Sequence, residues 1–215
     1  KVNRPSAVQR CVFRLKPFIH YPLIAAVGLA FVYFIFRMTA YTGGHRCAPL
    51  DDTFIHLQYA SQIAKGHYFQ YQTGDPPTTG ATSFLYVHLL AVPALLDLTG
   101  KNLLSAAMVM NLVFLYLCLF YLRRLGDEAF GKGAGLLSVL LCLSSGAFLW
   151  GNFSQMEISL FCFLMILTAW NYHQYLSGTA ALWKLMVSAS LLALTRPEGA
   201  IVSILLSAAI LIQWV

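Results

Sequence analysis

Apolar residues along this chain are grouped in long runs instead of alternating with polar residues. The runs lie at about 20–41, 83–98, 103–122, 133–150, 157–176, 181–195 and 199–215. A helix crosses the hydrocarbon core of a bilayer with about 20 residues, in a range of about 17 to 25. Short polar breaks rich in Gly and Pro separate the runs and are typical of helix ends. The pattern predicts an all-α, polytopic membrane bundle of about seven helices.

One connection differs from the others because it is long and polar. Residues 42–82 contain three aspartates, three tyrosines, three prolines and several glycines between two apolar runs. Within this segment, residues 51–65 place four apolar side chains on one face of a helix: Phe54, Ile55, Tyr59 and Ile63. An apolar face on an otherwise polar helix is typical of a helix that lies in the membrane interface. We therefore predict an amphipathic interfacial helix in the first extracytoplasmic loop.

The composition supports a membrane protein and excludes other classes. Hydrophobic residues make up 59% of the 215 residues and charged residues only 10%, against about a quarter charged in an ordinary soluble domain. Such a chain is neither disordered nor suited to a soluble enzyme. Its formal net charge is +6, but the basic residues form no stripe with interleaved aromatic residues, so we expect no nucleic-acid partner.

The basic residues instead indicate how the chain is oriented. Five of them precede the first apolar run: Lys1, Arg4, Arg10, Arg14 and Lys16. Basic flanks of membrane helices are retained in the cytoplasm. We therefore predict a cytoplasmic basic tail at 1–21, a transmembrane module at 22–215, and a loop at 42–82 that faces the periplasm or its equivalent.

Strict alternation of the runs conflicts with this orientation at one place. It would put Arg123 and Arg124 outside, although basic residues favour the cytoplasm. Either the run at 83–98, which contains Pro93 and Asp97, does not fully cross, or the basic pair is an exception. We favour the first alternative, because it also brings Glu157 to the side of the 42–82 loop.

Only eight acidic residues occur in the chain, so the position of each is informative. Asp51 and Asp52 are adjacent at the start of the predicted interfacial helix. Two neighbouring carboxylates can supply a general base or hold a divalent cation. The alternative is that one caps the helix and both favour the positive end of its dipole. Four other acids, Asp75, Asp97, Asp127 and Glu128, suit turns and helix ends.

Two further places join charged residues to membrane boundaries. Glu157 directly precedes an apolar run, where an acid is either functional or a helix cap. Arg196 and Glu198 flank Pro197 between two apolar runs, and a guanidinium there can hold a phosphate. The alternative for this pair is a loop with an internal ion pair.

Histidines and cysteines give weaker signals. The histidines lack the spacing of a zinc site, and His67, beside Lys65 and Gly66, is the one expected near a site. The five cysteines show no metal-ligand spacing, so we expect neither a zinc site nor a disulfide framework.

The motifs also occur in a recognisable order. They read DDTFIHLQYA at 51–60, KGHYF at 65–69, TSFLY at 82–86, QMEISLF at 155–161 and LTRPEG at 194–199. Together they resemble the N-terminal part of GT-C glycosyltransferases. The branch they resemble uses polyprenyl-phosphate sugars and includes protein mannosyltransferases, aminoarabinose transferases and mycobacterial arabinofuranosyltransferases.

This resemblance implies an inverting transfer of a sugar from a polyprenyl phosphate to an extracytoplasmic hydroxyl group. Asp51 and Asp52 match the position of the catalytic acid in the family's first extracytoplasmic loop. Glu157 matches its Met-Glu motif, and Arg196 and Glu198 match its Arg-Pro-Glu motif. Arg196, with Lys65 or His67, is then expected to stabilise the departing phosphate. The implied partners are the lipid-linked sugar, the bilayer and further membrane subunits, and a divalent cation at Asp51 and Asp52 is optional.

The chain departs from the family's pattern in two respects. It lacks the acid that the family has before the glycine at position 80, and it stops at Val215 inside an apolar run. We therefore expect a C-terminal remainder to be missing. The rival hypothesis is a non-catalytic membrane subunit that keeps the same helical scaffold. A transporter ranks third, because the helices contain few charged residues.

Overall fold

The computed structural model describes residues 20–45 and 47–214, and these residues form helices without strands. The predicted basic tail, including Lys1, Arg4, Arg10, Arg14 and Lys16, lies outside the described residues. The helices in this part of the chain are α1 (His20–Tyr41), α2 (Asp52–Ala64), α3 (Phe84–Leu95), α4 (Gly100–Phe130), α5 (Ala134–Ser144), α6 (Gly146–Phe153), α7 (Ile158–Leu176), α8 (Leu182–Ala193) and α9 (Pro197–Trp214).

The all-helical prediction is confirmed for these residues, but a bundle of seven spans is not. Two helical segments, Pro22–Tyr41 and Gly100–Phe130, are long and apolar enough to cross a membrane. A third span arises only if α5 and α6 count as one, and a bend of 75° separates them. The helices α3 and α8 have 12 residues each, or about 18 Å, against about 30 Å of hydrocarbon. The length of α3 fits the expectation that residues 83–98 do not fully cross.

The predicted helix after Asp51 is present, but it buries a different face from the one expected. Phe54 is 49% exposed, whereas Thr53 and His56 are almost completely buried with Leu57 and Ala60. The helix packs this mixed face against α3 and the segment before α7. The predicted apolar face is therefore wrong for Phe54. Packing against α3 and the segment before α7 buries polar side chains of α2 instead.

The helix α4 is the common element of two apolar clusters. One cluster joins its first half to α2, α3, α7 and α8, with Leu103, Ala107, Leu160 and Leu192 at its centre. The other joins its second half to α1, α5 and α6. One long, well-packed helix therefore connects the two halves of the bundle.

Polar contacts show how α4 and α7 run relative to each other. Asn111 of α4 donates to the carbonyl of Met156, and Gln174 of α7 donates to Glu128, near the other end of α4. The two helices are therefore parallel.

This arrangement places Arg123 and Arg124 of α4 at the opposite end of the bundle from Glu157, the N-cap of α7. The Thr53 hydroxyl donates to the carbonyl of Ser154 at 3.0 Å, so the start of α2 shares the end at which Glu157 lies. Glu157 and the acid pair therefore lie at the same end of the described bundle, which is consistent with the expectation that they share one side of a membrane.

Close packing of α4 on α5 depends on glycine. A Cβ at Gly135 would overlap the carbonyl oxygen of Arg123, whereas a Cβ at Gly28 in α1 would meet nothing. We expect Gly135→Ala to lower the free energy of unfolding by about 1–3 kcal/mol, because the helices must separate. Unfolding of both variants by SDS in mixed micelles measures this, and an equal effect of Gly28→Ala would contradict it.

We expect the two ends of the bundle to be accessible to a reagent from opposite sides of a membrane. In a variant without the five native cysteines, Thr73→Cys and Lys132→Cys should react with a membrane-impermeant maleimide from opposite faces of oriented vesicles. Both positions are exposed, so the readout does not depend on local opening. Labelling of both from the same face would overturn the assignment of the two ends.

Candidate functional site

Glu157 is the central residue of the candidate site. It occupies the N-cap position of α7 but makes no capping hydrogen bond with its side chain. Only 2% of the residue is exposed. Its Oε1 instead accepts from Nη1 of Arg196 at 2.9 Å, and its Oε2 lies 3.6 Å from Nε2 of His56. Capping alone therefore does not account for this buried acid, which has a charged partner 39 residues further along the chain.

Arg196 lies between two carboxylates in the turn before α9. Besides Glu157, it donates from Nη2 to Oε1 of Glu198 at 3.1 Å and from Nε to Oε2 at 3.3 Å. The hydrogen bonds with Glu198 raise the pKa of Arg196 and lower the pKa of the Glu198 carboxyl. The internal ion pair of Arg196 and Glu198, one of the two alternatives for this turn, is confirmed. With both carboxylates ionised, Arg196, Glu157 and Glu198 together carry a net charge of −1.

His56, which its place in the motif at 51–60 alone did not single out, connects the start of α2 to Glu157. Its Nδ1 lies 3.0 Å from the carbonyl oxygen of Asp52, which can only accept, so Nδ1 carries a hydrogen. A neutral ring turns its Nε2 lone pair toward the carboxylate of Glu157, and a doubly protonated ring turns an N–H toward it. The sequence contains one indication of this position: His56 follows Asp52 by about one helical turn, so both lie on the same face of α2.

Asp51 and Asp52 occupy different positions at the start of α2. Asp51 is the N-cap, and its Oδ1 accepts from the backbone N–H of Asp52 at 3.1 Å, as the capping interpretation expects. The Asp52 side chain is exposed and has no hydrogen bond or ion pair with the described residues. Asp52 is therefore the more available of the two carboxylates.

A network of buried hydrogen bonds holds the segment before Glu157. The Tyr86 hydroxyl donates to the carbonyl of Gln155 at 2.8 Å and lies 3.1 Å from Oδ1 of Asn111. Gln155 has a φ of 64°, a conformation that costs free energy for any residue except glycine. Its amide is fully buried and finds no partner among the described residues. Surrounding contacts therefore determine this backbone, which is typical of a functional segment.

Lys65 and His67 do not join this cluster. Lys65 ends α2, and 13 helical residues separate it from Asp51 by about 20 Å. His56 is the histidine that lies beside Glu157. His67 lies in the loop after α2, one residue before Tyr68, which lines the cavity next to the cluster, and its expected role at the site stays a prediction.

A divalent cation finds little support in the side chains present. The described residues contain no group of three or more His, Cys, Asp and Glu side chains able to hold a metal ion. Asp51 and Asp52 supply two carboxylates, one of which caps α2.

A cavity of about 390 Å³ adjoins the charged cluster. Pro197, the residue after Arg196, lines it together with Tyr59 of α2 and His88 of α3. The loop between α2 and α3 contributes the hydroxyls of Thr78, Thr79 and Thr82. The sequence pattern does not indicate this cavity, because its residues come from three helices and a loop and include no Asp, Glu, Lys or Arg.

Comparisons with models of known protein families, with curated proteins and with solved structures found no match to this chain. The site is therefore interpreted from its own geometry and from the motifs of the sequence.

Burial distinguishes the two carboxylates that Arg196 holds. The Glu157 side chain is 3% exposed and that of Glu198 is 58% exposed. We expect Glu157→Gln to lower the free energy of unfolding by about 1–3 kcal/mol, because it weakens a buried charged hydrogen bond. The matched variant Glu198→Gln should have a much smaller effect. SDS titration in mixed micelles compares them, and equal losses would contradict the central place of Glu157.

Proposed function

We propose that this chain belongs to a membrane glycosyltransferase that transfers a sugar from a polyprenyl-phosphate donor to an extracytoplasmic hydroxyl group, with inversion. One observation carries the proposal. Motifs separated by more than a hundred residues, the Asp51–Asp52 pair and the Glu157–Arg196 pair, meet at one end of an apolar helical bundle. Acids are scarce in this chain, so their convergence beside a cavity supports catalysis better than chance placement.

In the proposed reaction Asp52 acts as the general base. The acceptor oxygen attacks the anomeric carbon while the bond from that carbon to the phosphate oxygen breaks. The hydroxyl proton passes to the Asp52 carboxylate, and the lipid phosphate leaves with the electron pair. Attack opposite the leaving group inverts the anomeric centre. The exposed, unpartnered position of Asp52 suits this role, because an incoming hydroxyl can reach it.

Arg196 is the candidate group for the departing phosphate. Three of its five N–H groups donate to Glu157 and Glu198, and two remain for a ligand. Glu157 then orients the guanidinium from the buried side, next to Pro197 of the cavity wall. Among the described residues, no hydrogen bond or ion pair joins Lys65 or His67 to Arg196 or Glu157, and their part in holding the phosphate stays a prediction.

The second candidate function is a non-catalytic membrane subunit with the same scaffold. The observation in its favour is that two carboxylates already neutralise Arg196, as in a structural ion-pair network. A structural clamp needs Glu157 and Arg196 but not the exposed carboxylate of Asp52. Substitution of Asp52 therefore separates the two functions.

We expect Asp52→Asn to lower sugar transfer by about 100-fold or more, because the general base is lost. Proteoliposomes with undecaprenyl-phosphate-linked radiolabelled mannose or arabinose and a soluble sugar acceptor provide the measurement. Asp51→Asn should retain more activity, because asparagine also caps a helix.

The control for charge removal is Asp97→Asn, in the turn after α3. Asp97 is exposed with a φ of 61°, which asparagine tolerates, so transfer should stay at the wild-type level. Wild-type turnover of Asp52→Asn, with the protein folded, would overturn the catalytic proposal in favour of the structural subunit.

A further inference from the structure

The cavity beside Arg196 has a mostly apolar lining that also carries several uncharged polar groups. Among the described residues, no Asp, Glu, Lys or Arg side chain lines it. Its polar groups are the hydroxyls of Tyr59, Thr78, Thr79 and Thr82 and the imidazole of His88. The volume of about 390 Å³ lies in the range of small-molecule sites. The charged side chains of the site therefore lie beside the cavity and not in its wall.

Hydrogen bonds hold the wall of this cavity in place. The loop after α2 is tied back to that helix by Gln58, which donates to the carbonyl of Tyr71, and by Thr73, which donates to Gln62. The hydroxyls of Tyr59 and Thr78 also bond to each other. A Cβ at position 80 would lie 2.5 Å from the Tyr59 hydroxyl, so Gly80 lets the loop pass close to α2. The cavity is therefore formed before a ligand arrives.

Aromatic rings line the cavity together with the residues that carry its hydroxyl groups. Phe69 and Phe84 stack at 6.5 Å, and Tyr68 stacks on His88 at 6.4 Å. Nδ1 of His88 lies 2.7 Å from the carbonyl oxygen of Phe84, so it donates and leaves Nε2 of the neutral ring as an acceptor. A sugar ring presents apolar C–H faces to aromatic rings and hydroxyls to hydrogen-bonding groups. An isoprenoid chain would leave these polar groups unused.

We propose that this cavity binds the ring of an uncharged monosaccharide and discriminates against amino sugars and uronic acids. This inference rests on the proposed function, of which it specifies the sugar. A charged substituent would enter a cavity without a counter-ion and lose its hydration, which is costly. Pro197 connects the cavity to Arg196, so the sugar ring and its phosphate lie on adjacent residues.

The test measures sugar binding by the full chain in lipid nanodiscs through saturation-transfer NMR. The probes are methyl mannoside and methyl arabinofuranoside, compared with glucosamine and glucuronate. We expect the uncharged probes to give signals at least about fivefold larger than the charged ones. Equal signals from all four probes, or from nanodiscs without protein, would overturn the inference.

Variants connect this selectivity to the cavity. The double variant Thr79→Val and Thr82→Val should lower binding of the uncharged probes about fivefold, because two hydroxyl groups are removed at nearly constant volume. The matched control is Thr99→Val, at the N-cap of α4, where the side chain makes no capping bond, and it should bind as wild type. Thr79→Asp should raise the glucosamine signal by supplying a counter-ion. Unchanged binding in the double variant would indicate a site elsewhere and overturn the inference.

The outcomes also separate this inference from the proposed function. Loss of transfer in Asp52→Asn without selective binding of uncharged sugars would overturn the inference and leave the transferase proposal standing. Selective binding in a chain whose transfer does not depend on Asp52 would support the cavity assignment and overturn the proposed catalytic role.

Discussion

Burial of the Glu157 carboxylate is the constraint on which the rest of this structure depends. A carboxylate removed from water costs several kcal/mol unless it is paired and hydrogen-bonded. Arg196 provides that pairing only because α8 returns the chain to the start of α7. His56 approaches the second oxygen only because α2 lies across the same segment. The burial of one charge therefore depends on contacts among three segments that lie far apart in the sequence.

Charged residues lie at both ends of the described bundle. The acids of α2 and the Glu157–Arg196 pair lie at one end, and Arg123, Arg124 and Lys132 lie toward the other, where Arg123 approaches Asp127 at 3.9 Å. Charge kept at the ends of apolar helices suits a membrane environment, since an ionised side chain is costly inside a bilayer. With 12 residues, α3 is shorter than the hydrocarbon core of a typical bilayer.

At the acidic end, charged chemistry and uncharged recognition occupy adjoining places. The cluster around Glu157 carries ionic groups, while the neighbouring cavity offers hydroxyls, an imidazole and aromatic rings. Pro197 belongs to the cavity wall and follows the guanidinium directly. A site arranged in this way can hold an anionic leaving group and a neutral ring at once, which is the combination that a lipid-phosphate sugar presents.

The sequence by itself determined the features that depend on local composition. Gly43 and Gly44 end α1, Pro197 begins α9, and the scarcity of acids singled out Asp51, Asp52 and Glu157. These signals are readable because helix propensity and the cost of charge near lipid act on each segment separately. Most apolar runs accordingly became helices within a few residues of the predicted bounds.

Tertiary structure decided the features that depend on a partner from another element. It broke the run at 133–150 at Ser145, turned His56 inward, and left Lys65 and His67 at the distant end of α2. Which face of α2 is buried depends on what packs against it, and no local pattern contains that information. The physical reason is that burial and pairing are properties of contacts between distant residues, whereas helix formation is a property of neighbours along the chain.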